Sequence, residues 1–225
     1  MKVELLASTP KAEKLICKAA HVCYSDKAIS EIETNDADIM IGRLIASGHM
    51  SVLEHASFTF GIEGISRVCL AQLTRHRLAS YSVRSQRYTE SADAVLPRGV
   101  DEKEVNNEFK KYEGLKLRGW KKEDARYVLP QAVTTSLILT MNARELLHFF
   151  SLRCCNKAQW EIRELANEML RLVKEIAPNI FKKGGAACVQ RGYCKESVTC
   201  GRMPDVVHKD FLMSLYESWK KAREK

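Results

Sequence analysis

From Gly64 to Thr89 the chain has no aspartate, no glutamate and no lysine. Other absences narrow the classes. No run approaches the ~18 consecutive apolar residues of a membrane span. The opening Met1-Lys2-Val3-Glu4-Leu5-Leu6 contains an acid and lacks the apolar core of a signal peptide. A cytoplasmic protein away from membranes is expected. The eight cysteines include no CxxC pair, and in a cytosolic protein the default is reduced thiols. Cys188, Cys194 and Cys200 recur at a spacing that fits no common zinc pattern, and His49, Glu54 and His55 are not spaced as HExxH. No metal is expected. No GxGxxG follows a strand-like run, which excludes a dinucleotide held in Rossmann fashion. No zinc-finger or RNA-recognition pattern occurs, so the net charge of +8 points to small anionic partners rather than nucleic acid. Internal repeats and long linkers are also missing, and 225 residues are read as one domain, 1–225.

The acid-free window contains five arginines, Arg67, Arg75, Arg77, Arg84 and Arg87, and one histidine, His76. A guanidinium is always charged, and its planar fork fits phosphate or carboxylate with two parallel hydrogen bonds. Ser80, Ser82 and Ser85 add hydroxyl donors, and Tyr81 and Tyr88 add flat faces for a ring. The chemistry is that of a pocket for a phosphorylated, planar ligand. The alternative is a solvated basic face. Such faces normally mix Lys with Glu, and this window has neither.

Periodicity places the window. Lys2 to Leu6 alternates as a strand. Pro10 is expected at the first position of a helix whose inner side is Leu15, Ile16, Ala19, Ala20 and Cys23. Asn35 or Asp36 caps a second helix, with Ile39, Met40, Leu44 and Ile45 inward, ended by Gly48. Ser57 to Glu63 alternates Phe58, Phe60 and Ile62 against Thr and Gly, and Gly64 breaks the strand. Ser66 caps a helix through Val68, Leu70, Ala71 and Leu73 that delivers Gln72 and Arg75. Tyr81 to Tyr88 reads as extended. Glu102 to Trp120 is an outer helix, and Glu123 to Leu129 a short one stopped by Pro130. Val133 to Met141 is a buried strand. Asn142 and Glu145 form a capping box for a helix ending near Arg153. A long amphipathic helix follows and stops at Pro178, and another is expected from about Asp205 to Lys221. Cys17, Cys23 and Cys69 are expected buried.

Arg75-His76-Arg77, seven residues, then Ser85 resembles the signature of the flavin-dependent thymidylate synthases, with Ser80, Arg87 and Tyr88 fitting its extended form. His49, Ser51 and Glu54 stand in a segment similar to the one in which that family's His and Glu approach the flavin. Asn142-Ala-Arg-Glu145 and Leu152-Arg153, with Ala158-Gln159-Trp160-Glu161-Ile162, are further family-like blocks. The resemblance runs from about His49 to Ala177, with weaker support from Lys2 to Tyr24. It departs at Ser82-Val83, where the family often has Asn-Glu, at His148, where some members have Asn, and at Lys157, where His is expected.

The resemblance implies an α/β (α+β) fold, a single domain with a central twisted, mainly antiparallel sheet flanked by helices. It implies a homotetramer with shared active sites. The reaction it implies is reductive methylation of dUMP to dTMP, with methylenetetrahydrofolate as one-carbon donor and FAD reduced by NADPH. Ser85, Arg87 and Arg126 would hold the dUMP phosphate, Arg126 from a neighbouring subunit. Gln72, Arg75, Gln86 and Arg153 would complete the dUMP set, with Arg153 catalytic beside the uracil. His49, Ser51, Glu54, Arg75, His76, Arg77, Asn142, His148 and Lys157 would bind FAD. A cysteine-dependent synthase would need a Pro-Cys-His setting, which no cysteine here has. A non-catalytic nucleotide- or RNA-binding module differs by lacking the yellow of a bound flavin.

Overall fold

The computed structural model describes residues 1–34, 36–90 and 93–202. Four strands make one antiparallel sheet in the order β1-β2-β4-β3: β1 (Lys2–Ser8), β2 (Ser57–Ser66), β3 (Ala79–Val83) and β4 (Thr134–Asn142). Alternation does the work that it promised. Phe58, Phe60 and Ile62 on β2, and Leu137, Leu139 and Met141 on β4, are all buried on one face. Truncating one such Phe to Ala costs about 3–5 kcal/mol. Gly64 does not end β2. It takes φ +70° at a bulge between Glu63 and Ile65, and the strand runs on to Ser66. A glycine at positive φ absorbs the extra residue without a Cβ clash.

Helices cover that apolar face. α1 (Ala12–Val22) and α2 (Ala37–Ala46) come first, followed by a 3₁₀ turn over Ser51–His55. α3 (Arg67–Leu73) follows β2 directly. α4 (Lys103–Leu117) and α5 (Lys122–Ala125) lead into a 3₁₀ turn over Arg126–Val128. α6 (Ala143–Arg153), α7 (Trp160–Ile176), α8 (Pro178–Phe181) and α9 (Ala187–Arg191) follow β4. Ile162, Leu165, Met169 and Val173 of α7 are fully buried, the inward stripe of an amphipathic helix. The buried apolar side chains form one cluster from Ala12 to Cys188. Among the described residues no helix is long and apolar enough to cross a membrane.

Several boundaries differ from expectation. Pro10 and Lys11 form a turn, with Lys11 left-handed at φ 51°, and α1 starts only at Ala12. Ile16, Cys17 and Ala20 face inward, whereas Leu15 and Cys23 are exposed. On α2, Ile41 and Leu44 are buried while Ile39 is exposed. On α3, Cys69, Leu70 and Leu73 are buried while Val68 and Ala71 are exposed. In each helix the apolar residues outnumber the inward positions, so periodicity alone leaves the phase open. Asp36 precedes α2 without a side-chain cap bond. The extended run after Tyr81 ends at Val83, and Gln86–Tyr88 turn instead. Asn35 and the helix expected from about Asp205 lie outside the described residues.

Candidate active site

The Arg75-His76-Arg77 stretch is the connection between α3 and β3. Its anchorage starts deep in the core. The Ser66 hydroxyl accepts from the Cys69 N–H at 3.0 Å, capping α3, and donates to Glu161 Oε2 at 2.5 Å. Glu161 Oε1 accepts from the Ser66 N–H at 2.6 Å. Glu161 is buried, and these charge-assisted bonds compensate its desolvation. They also fix the direction of the helix that ends at the arginines. Past the helix, the Tyr81 hydroxyl lies 2.8 Å from Leu73 O and 2.7 Å from His76 O and donates across both carbonyls. Burial raises the Tyr81 phenol above its ordinary value, so it stays a donor.

His76 is buried, at 4% exposure, and its ring lies edge-on to Phe149. Nδ1 is 2.9 Å from Glu145 Oε1, and Nε2 is 3.2 Å from Arg153 Nε. A guanidinium N–H only donates, so Nε2 must be the acceptor. The proton of the neutral ring is therefore on Nδ1, facing the Glu145 carboxylate. Burial holds the His76 pKa below its ordinary value, aided by the Arg153 charge and opposed by the hydrogen bond to Glu145. Arg153 also donates from Nη2 to Gln72 O at 3.4 Å. Burial first, and then the like charge of Arg75, lowers the Arg153 pKa. The two guanidiniums thus sit close enough to repel. Arg75, Arg77, Leu78, His148 and Arg153 line a pocket of about 250 Å³ floored by His76 and Glu145. Neither Arg75 nor Arg77 has an acidic partner among the described residues. His76, Glu145 and His148 also bring metal-ligating atoms within 4.8 Å of one another. Both His76 nitrogens are already engaged and two cations stand beside them, so the geometry is that of a hydrogen-bond chain.

A second basic group lies beyond β3. The Ser85 hydroxyl accepts from the Arg87 N–H at 3.3 Å, closing a tight turn. Arg87 Nε donates to Glu123 Oε2 at 2.9 Å, and Arg126 Nε donates to the Glu123 carbonyl at 3.0 Å. Gln86 and Arg126 line a groove of about 350 Å³ together with Arg67. Arg67, one of the five arginines of the acid-free window, carries no dUMP or FAD role in what the resemblance implies, yet it lines this groove.

The remaining expected residues lie elsewhere. His49 follows α2, edge-on to Tyr24 at 6.4 Å. Ser51 and Glu54 are on the 3₁₀ turn, where Glu54 pairs with Arg144 at 2.5 Å. Asn142 Oδ1 accepts from the Glu145 N–H at 2.9 Å and caps α6. Only that half of the capping box forms, because the Glu145 carboxylate turns to His76 instead. Asn142 and Arg153 bracket α6 and stand about 16 Å apart along its axis. Lys157 reaches Glu196 at 3.0 Å and does not line the Arg75–Arg153 pocket.

The sequence pattern of the family described as thymidylate synthase complementing protein matches residues 4–179. The flavin-dependent thymidylate synthase of Geobacter sulfurreducens is 47% identical over 224 residues, covering 92% of this chain and 96% of that protein. The flavin-dependent thymidylate synthase of Pyrococcus horikoshii is 42% identical over 252 residues, covering 100% and 99%. Among solved structures, a UMP/dUMP methylase, PolB from Streptomyces cacaoi bound with 5-Br dUMP, superposes with a TM-score of 0.71 at 26% identity, covering 80% of this chain and 93% of that one. With most of its length matched by the family pattern and by relatives 47% and 42% identical, the chain belongs to the flavin-dependent thymidylate synthases.

Proposed function

We propose that the protein methylates dUMP reductively to dTMP, as a single-domain, cytoplasmic, FAD-dependent enzyme. Methylenetetrahydrofolate is the one-carbon donor and NADPH the reductant. The observation that carries this reading is the pair Arg75 and Arg153, two guanidiniums on one pocket with no carboxylate paired to either among the described residues. Such a pair calls for an anionic, planar ligand. Every reactant named is anionic, in keeping with the net charge of +8.

The residues fit a flavin nucleotide on the same ground. Arg75 and Arg77 offer free forks to a pyrophosphate, and exposed Leu78 and His148 offer apolar and flat surface to a ring. FAD, when bound, supplies the hydride chemistry. His49, Ser51, Glu54, Asn142 and Lys157 are proposed as its outer contacts. Arg153 orients the uracil and stabilises negative charge developing on its ring oxygens. Ser85, Gln86, Arg87 and Gln72 complete the nucleotide site, and Arg126 serves a neighbouring subunit's nucleotide.

A homotetramer with shared sites is supported by one observation. The outer face of the sheet carries Leu6 and Ile138, 51% and 48% exposed, beside a shallow groove of about 360 Å³ that no described element fills. The test is direct. Purified protein supplied with FAD, dUMP, methylenetetrahydrofolate and NADPH forms dTMP, and it gives a flavin absorbance band on FAD titration. Absence of FAD binding by the folded protein refutes the reading.

A further inference from the structure

Among the described residues, Glu145–His76–Arg153 is the one place where a buried carboxylate, a buried imidazole and a pocket-facing guanidinium are joined end to end. We propose that Glu145 is a positioning residue for Arg153, acting through the His76 ring. The inference rests on the reading of Arg153 as the uracil-facing group.

The argument begins with helix phase. Glu145, Phe149 and Arg153 are four residues apart on α6 and share one face. The segment Arg75–Arg77 crosses that face, and Tyr81 pins it there through the His76 carbonyl. His76 therefore has little freedom. Glu145 is 5% exposed and His76 4%. At that burial little water competes for their hydrogen bonds, and an unpaired carboxylate there would be costly.

The imidazole makes the connection directional. A neutral histidine has two tautomers, and only the one protonated on Nδ1 leaves Nε2 free to accept from Arg153. The Glu145 oxygen at 2.9 Å from Nδ1 selects that tautomer. A carboxylate fixing an imidazole so that its far nitrogen can act is the logic of catalytic triads, with a guanidinium in place of the nucleophile. Held at Nε by His76 and at Nη2 by Gln72 O, Arg153 keeps its remaining N–H groups for the pocket. The arrangement also explains why Glu145 is withheld from its capping role. By the same geometry His76 has no ring nitrogen left for a ligand, so its service to the nucleotide passes through Arg153.

The test uses full-length protein loaded with FAD. Wild type, Glu145→Gln, Glu145→Asp and Glu145→Leu are compared for flavin binding, for dUMP binding by calorimetry, and for kcat and KM for dUMP. The Gln amide oxygen still accepts from Nδ1–H, so Glu145→Gln keeps dUMP affinity within about threefold. In Glu145→Asp the carboxylate falls about 1.5 Å short, and in Glu145→Leu the acceptor is gone. Losses therefore rank Leu above Asp above Gln, with Glu145→Leu weakening dUMP by roughly 10- to 100-fold while FAD binding holds. In an Arg153→Ala background Glu145→Leu adds no further loss of dUMP affinity, whereas a merely structural role adds its cost in both backgrounds. If Glu145→Leu lacks a cooperative thermal transition, Glu145→Asp against Glu145→Gln decides, and Asp binding as well as Gln or better overturns the proposal. Wild type that binds dUMP beside a folded Glu145→Leu that binds it equally overturns the positioning role alone. Wild type that fails to bind dUMP overturns the nucleotide reading and this inference with it.

Discussion

Two arginine groups in this chain have the same composition and opposite construction. Arg153 is held from inside, by a buried histidine and a backbone carbonyl, with Glu145 behind the histidine. Arg87 is held from outside, by an exposed ion pair with Glu123, side chains 52% and 37% exposed. The inner arrangement costs desolvation and gains a fixed orientation. The outer one costs little and can be exchanged, because an anionic ligand can replace the Glu123 carboxylate on Arg87. The contrast matches the proposed division of labour: a base that must be oriented against Arg153, and a phosphate that must be captured and released at Arg87.

The strongest way to break the comparison is at the inner end. Arg153→Ala is expected to lower turnover by roughly 10²–10³-fold, with FAD binding nearly unchanged, as read by steady-state dTMP formation and flavin titration. A loss no larger than that of an exposed arginine would remove the distinction. Next is Arg87→Ala. A charge-assisted hydrogen bond is worth roughly 1.5–3 kcal/mol, so dUMP should weaken by about 10- to 150-fold while FAD is bound much as before. Equal losses of both ligands would indicate misfolding.

The pH dependence sharpens the same contrast. His76 works as a neutral acceptor, and its pKa is lowered by burial, with Arg153 and His148 adding to the effect and Glu145 opposing it. A proton on Nε2 would face the Arg153 N–H. Because the folded pKa lies below the unfolded value of 6.5, this contribution to stability is complete above that value and declines as pH falls through the folded pKa. The acid limb of kcat/KM for dUMP should lie below 6.5. Glu145→Gln, which removes the influence that raises the pKa, should move the limb lower still. Movement upward would contradict the tautomer assigned here.

Stability separates buried from exposed acids by a smaller margin. Ser66→Ala removes the cap of α3 and one of the two donors that Ser66 gives to buried Glu161, leaving the backbone N–H, and should cost about 1–3 kcal/mol in denaturant unfolding. Glu123→Ala breaks only the exposed pair and should cost about 0–1 kcal/mol. The smallest effects are expected at the cysteines. Burial pushes the Cys154 thiol up to about 12, far from a thiolate at neutral pH. The Cys200 thiol is lowered, first by the Arg202 backbone N–H. Cys154→Ala, Cys155→Ala and Cys200→Ala should each keep substantial turnover. A covalent adduct of 5-fluoro-dUMP mapped to any of them by intact-protein mass spectrometry would refute this.

The arginine window was legible because electrostatics writes itself in composition. Of its arginines, Arg75 and Arg77 share a pocket with Arg153, whereas Arg87 is balanced by Glu123 from outside the window. The strands were legible because alternation has one phase, so Phe58, Phe60 and Ile62 could face only one way. Helix phase was not, because Leu15, Ile39 and Val68 are as apolar as the residues that are buried. Gly64 marked an irregularity in either reading, and only pairing with β4 made it a bulge rather than an end. Glu145 shows the limit most clearly. Asn142 and Glu145 at capping-box spacing carry a local instruction, and the Asn half obeys it. The Glu half is taken by His76, 69 residues away in sequence. A buried imidazole is a better partner for a buried carboxylate than a helix-end N–H that other groups can satisfy. The sequence by itself determined which residue types were present and which short-range patterns they made. The tertiary structure decided which of them paired, because pairing depends on burial and on distances that no spacing along the chain encodes.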